Sequence, residues 1–197
     1  MKRVKELIDR LRTSEDVIVQ EGGEVILSGL MADTQPQQYT VELFKPLSDE
    51  DLKQLMENSR NPFPEPLADF YRLTNGAFFF GRHISIYGMP LWSAQYKQPL
   101  ALAFEDAKRP LLCPKERLFF AAYTADSEIR LFFDTKESAP MKVYAVKKGN
   151  KVIAQWPSFE DWLLSEYEKY QAKYQRGEFA IEEIAGVLKE IKFNVEL

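Results

Sequence analysis

Val4, Leu7, Ile8 and Leu11 recur at the i, i+3, i+4, i+7 interval of one helix face, and the charged residues between them predict an amphipathic helix over residues 1–12. The period then shortens to two. Residues 17–27 set two β-branched runs around Gly22 and Gly23, which can supply the positive φ angles of a tight hairpin turn. Residues 38–44 follow as a strand, with Tyr39, Val41 and Leu43 alternating against Thr40, Glu42 and Phe44. Helical spacing returns after Ser48, which can cap residues 48–58 while Asp51 answers it in a variant capping box; Leu52, Leu55 and Met56 give that helix its inward face. Pro62 and Pro64 end it, because proline has no N–H to donate and restrains the residue before it.

A second helix is predicted over 65–74, with Leu67, Phe70 and Tyr71 on one side, and Asn75-Gly76 fits a left-handed stop. Strands are then predicted at 83–87, 118–123, 129–134, 141–146 and 151–156, the last four as two hairpins. Between the first of these and the rest, Pro90, Pro99, Pro110 and Pro114 break the chain, leaving room for one short helix at 102–107. Ser158 caps a helix in which Phe159, Trp162, Leu163, Tyr167, Tyr170 and Tyr174 recur at helical spacing, and Gly177 breaks it. A last helix is expected at 181–191.

The segment Pro62-Phe-Pro-Glu-Pro-Leu-Ala-Asp-Phe-Tyr-Arg-Leu-Thr-Asn-Gly76 resembles the signature of the SMI1/KNR4 (SUKH) family, Pro-x-x-(Leu/Tyr)-x-x-Phe-(Leu/Tyr)-x-x-x-Asn-Gly. Pro64, Phe70, Asn75 and Gly76 carry the resemblance. Trp156-Pro-Ser-Phe-Glu-Asp-Trp-Leu163 is similar to the family's closing motif Ser-Phe-x-x-(Phe/Trp)-Leu, through Phe159, Trp162 and Leu163. The two motifs bracket a core at 48–165, preceded by an extension of the same domain at 1–47 and followed by a helical extension at 166–197. The resemblance implies an α+β fold with a central, mostly antiparallel curved sheet and helices packed against it. It also implies a non-catalytic protein-binding module, since bacterial members are mostly immunity proteins that neutralise a partner toxin. A regulatory or scaffolding role, as the fungal branch suggests, and an enzyme of unrecognised type are the alternatives.

The 197 residues suffice for one well-buried core. No uncharged stretch approaches the roughly 18 residues that span a bilayer, and the first helix lacks the apolar run of a signal peptide. With Cys113 alone no intrachain disulfide forms, which fits a cytoplasmic protein. The net charge of −4 is unevenly spread: residues 70–157 carry thirteen bases against seven acids, while 13–69 and 158–197 are acidic. A pI near 5.3 argues against general nucleic-acid binding, and nothing suggests a membrane partner.

Catalytic constellations are sparse. The chain has one histidine and one cysteine, and no HExxH, CxxC, Gly-x-Ser-x-Gly or P-loop pattern, so neither a metal nor a cofactor is expected. His83 reads as a partly exposed strand residue and Cys113 as a small apolar filler. Asp49, Glu50 and Asp51 have two readings: acids that favour the positive start of a helix, or contacts to a basic toxin, where carboxylates would mimic phosphate if the toxin is a nuclease. Phe80 and Trp92 also have two, buried support or anchors for a partner. In the run Phe78-Phe79-Phe80, alternation sends at least one ring out of the main core unless an extension covers it.

Overall fold

The computed structural model describes residues 1–20, 25–31, 38–91, 98–107, 113–123, 129–147 and 150–176. Trp92, the turn glycines Gly22 and Gly23, Gly177 and the helix expected at 181–191 lie outside the described residues.

Nine strands form one sheet in chain order: β1 (Ile18–Val19), β2 (Val25–Met31), β3 (Gln38–Phe44), β4 (Ala77–Phe79), β5 (Ile84–Ile86), β6 (Arg117–Tyr123), β7 (Arg130–Asp134), β8 (Val143–Lys147) and β9 (Lys151–Trp156). Every neighbouring pair is antiparallel. The strands of the N-terminal extension therefore continue the sheet of the core, through the pairing of Val41 with Phe79 and of Leu43 with Ala77. Helix α1 (Lys2–Arg12) precedes the sheet, α2 (Asp49–Glu57) and α3 (Glu65–Leu73) lie between β3 and β4, α4 (Leu102–Ala107) lies between β5 and β6, and α5 (Phe159–Gln175) closes the described chain. The result is an α+β domain, and among the described residues no helix is long and apolar enough to cross a membrane.

The main core lies between the sheet and α1, α3 and α5. The predicted face of α1 is buried in full, at Val4, Leu7, Ile8 and Leu11, against α3, α5 and β2. Full burial of each such side chain contributes about 1.5–3 kcal/mol. From α5, Phe159, Trp162 and Leu163 enter the same core with no exposed surface. Phe159 meets Phe70 of α3 at 5.2 Å between ring centroids, and Trp162 meets Phe120 of β6 edge-to-face at 5.2 Å.

The phenylalanine run departs from simple alternation. Phe78 points to the opposite face of the sheet, where Leu27 of β2 and Phe44 of β3 bury it. Phe79 points into the main core, and Phe80 joins it there because its φ is +51°, which turns the chain out of the strand. Phe80 then lies under Tyr167 and Tyr170 of α5, at 5.3 and 5.9 Å. Both outer rings of the run are thus covered from the extensions.

Candidate protein-binding surface

Ser48 opens α2 as the sequence predicts, its hydroxyl accepting from the Asp51 backbone N–H at 3.1 Å and donating to the Asp51 carboxylate at 2.6 Å. Asp51 is therefore held by the cap. Asp49 and Glu50 are exposed in the same first turn, where the helix dipole favours negative charge. Of the three acids, these two are the ones free of the cap.

Beside them α2 and α3 enclose a shallow groove of about 460 Å³, lined by Asp49, Leu52, Lys53, Met56, Glu57 and Arg72. Leu52 forms a buried floor, and Met56 is 40% exposed. Arg72 comes from α3 and is braced by Asp69 at 2.8 Å. An apolar floor with a charged rim is the arrangement a protein contact uses, because desolvation of the floor drives association and the rim sets partner choice.

The signature residues, in contrast, are interior. Pro64 is buried at the N-cap of α3, and Phe70 is fully buried. Gly76 alone of the Asn75-Gly76 pair is left-handed, at φ +82°. The helix has already ended at Thr74, which is extended, so Asn75 is not a left-handed stop. Its side chain instead imitates a strand neighbour: Nδ2 donates to the Met89 carbonyl at 2.6 Å and Oδ1 accepts from the Met89 N–H at 2.7 Å. Thr74 ties the same corner to β3, its hydroxyl accepting from the Phe44 N–H at 3.0 Å.

Phe80 is fully buried, so in this structure it presents no ring to a partner. His83 is buried rather than partly exposed, its ring 5.8 Å from that of Tyr170. Cys113 packs against the small cluster of Phe119, Phe132 and Val146 on the second face of the sheet, in keeping with a filler role.

One polar chain inside the core escaped sequence reasoning. Trp162 Nε1 donates to the Tyr123 hydroxyl at 3.1 Å, Tyr123 in turn bonds the carboxylate of buried Glu166, and Lys169 Nζ lies 3.1 Å from Glu166. Burial first, and then the nearby Glu166 charge, push the Tyr123 phenol well above its ordinary pKa, so it remains a neutral donor. Only the helical spacing of Trp162, Glu166 and Lys169 hinted at this; Tyr123 comes from a distant strand. Among the described residues no group of three His, Cys, Asp or Glu side chains could hold a metal ion.

Comparison with known proteins gives one match. The model of the SMI1 / KNR4 family (SUKH-1) matches residues 46–165, more than half of the chain. No curated protein and no solved structure gives a significant match.

Proposed function

The chain belongs to the SMI1/KNR4 (SUKH-1) family, and from that premise we propose that it is a non-catalytic binding protein, an immunity protein that neutralises a toxin domain by stoichiometric contact in the cytoplasm. The observation that supports this reading most is the division of labour on α2 and α3. Every described signature residue is spent on the interior, whereas Asp49, Glu50, Met56 and the groove beside them face outward. A scaffold fixed inside and variable outside suits a family whose members each meet a different partner. The exposed acids fit a partner with a basic active-site cleft, such as a nuclease, whose Lys and Arg groups they would occupy in place of phosphate.

Affinity capture from the native host, identification of the partner and titration of the partner's activity with the purified chain test this. The expected result is activity falling linearly to zero at a fixed molar ratio. A captured partner without toxic activity would favour a regulatory or scaffolding role, and suppression at far less than one equivalent would favour an enzyme.

A further inference from the structure

β9 ends the sheet and has a strand on one side only. It pairs with β8 from Val143 opposite Trp156 to Lys147 opposite Lys151. Among the described residues, no backbone group of Lys151–Trp156 bonds to a segment beyond β8. An antiparallel strand turns alternate N–H and C=O pairs away from its neighbour, so β9 offers a row of unmet donors and acceptors at strand spacing.

The side chains along this edge are also uncovered. Val152 is 40% and Ile153 45% exposed, with Lys151 and Gln155 exposed beside them. At the other end of the sheet β1 is two residues long, too short to offer a comparable ladder. The register sets Lys147 directly opposite Lys151, and like charges facing each other across a ladder repel. An acidic side chain arriving beside Lys151 would offset that repulsion. Pro157 follows Trp156 and has no N–H, which fixes where the ladder stops.

We propose that the free edge of β9 takes up an extended segment of a partner protein as a tenth strand, with an acidic residue beside Lys151 and apolar residues beside Val152 and Ile153. An extended backbone is the ligand whose groups match an alternating row of outward N–H and C=O. The lysine pair and the apolar pair then choose the sequence. None of the groove residues belongs to β9, so this inference goes beyond the α2 reading and stands without it.

Two strand-forming peptides of alternating valine and threonine test the proposal, one with glutamate at one end and the other with lysine there. Affinity is read by fluorescence anisotropy and contact by hydrogen exchange of the full chain. The glutamate peptide is expected to bind about fivefold tighter or more, the size of one favourable cross-strand charge pair replacing a repulsive one. It should slow exchange at alternate amides within Lys151–Trp156. Lys151→Glu, an exposed position, should reverse the preference while leaving the far-UV spectrum unchanged, and reversal of Asp49 and Glu50 should not alter peptide affinity. Equal affinities with unchanged exchange in β9 would overturn the proposal. So would a chain that elutes as a dimer with those amides already protected, because the occupant would then be a second copy.

Discussion

The Glu160 carboxylate accepts from the backbone N–H of Arg3 at 3.0 Å and, through its other oxygen, from Arg3 Nε at 3.0 Å. Helix α1 begins with no side-chain cap of its own. Its unsatisfied first-turn N–H groups, at Arg3 and at Val4 (3.4 Å), are met from the first turn of α5, more than 150 residues away in the chain. Asp161 holds the Arg3 guanidinium at 2.9 Å while its own N–H completes the Ser158 cap of α5. One helix start thus caps another, and the N-terminal extension is fastened to the family's closing motif.

Loss of this contact should behave as loss of a cap. Glu160→Ala is expected to destabilise by about 1–2 kcal/mol in urea unfolding, near the upper end for cap removal because two backbone donors lose their acceptor. Arg3→Ala keeps those backbone bonds and should cost clearly less. Equal losses from the two variants would show that the side-chain ion pair, and not the cap, is what Glu160 contributes.

Acid should expose the same contact. Burial alone would raise the Glu160 pKa, but the hydrogen bonds from Arg3, the terminal amino group and the Val4 N–H outweigh it and hold it below the ordinary carboxylate value. A group whose folded pKa is depressed contributes stability that is complete above its unfolded pKa, about 4.3 for glutamate, and that disappears as pH falls through the folded value. Wild type and Glu160→Gln should therefore differ most at neutral pH and converge below about pH 4. A constant gap in melting temperature across that window would contradict the assignment.

Gly76 is the position where the signature is least tolerant. A Cβ there would lie 2.8 Å from the Ile86 carbonyl oxygen and 3.0 Å from Pro99 Cβ, on a backbone already at φ +82°. Strand carbonyls do not yield as flexible side chains do, so Gly76→Val should cost at least about 2 kcal/mol, combining left-handed strain with the clash. The melting temperature should fall while the folded fraction keeps its partner affinity. A stable variant that had lost only binding would move Gly76 from the fold to the interface.

Trp162→Ala should destabilise by roughly 3–5 kcal/mol, the range for emptying a fully buried aromatic site. The hydrogen bond to Tyr123 gives a finer test. Tyr123→Phe strands the buried Trp162 N–H and removes a donor from Glu166, for an expected loss of about 1–3 kcal/mol. Combined with Trp162→Phe, it should show a coupling of at least about 0.5 kcal/mol in a double-mutant cycle. Strict additivity would mean that the 3.1 Å contact contributes nothing.

What could be read from the chain was what its own neighbours decide. The buried face of α1 and the Ser48 and Ser158 caps involve residues within one or two helical turns, and each is present as the spacing predicts. The strands at 38–44 and 151–156 and the short helix at 102–107 likewise follow from local alternation and breakers. What could not be read depends on partners far along the chain or on single backbone angles. Positive φ at Phe80 and Arg82 overrides strand alternation and buries a ring expected to be available outside. Nothing near Asn75 names Met89 as its partner, and nothing near Arg3 names Glu160. The candidate surface was legible only as an acidic helix start; the groove beside it exists because α3 returns alongside α2.

That structure also sharpens the charge test of the binding reading. Reversal of all three acids would mix two effects, since Asp51 is bonded to the Ser48 hydroxyl and its loss weakens α2 itself. Asp49→Lys with Glu50→Lys leaves the cap in place, though two cations at a helix start should still cost about 0.3–1 kcal/mol each. The control is Glu15→Lys with Glu168→Lys, which changes net charge equally at exposed acids outside the groove. If the partner is basic and docks on α2, association of the folded fraction should slow several-fold for the first pair and little for the second, and the difference should shrink as salt screens the steering field. Equal slowing by both pairs would mean that only net charge matters. Unaltered association in both would place the contact away from the α2 groove.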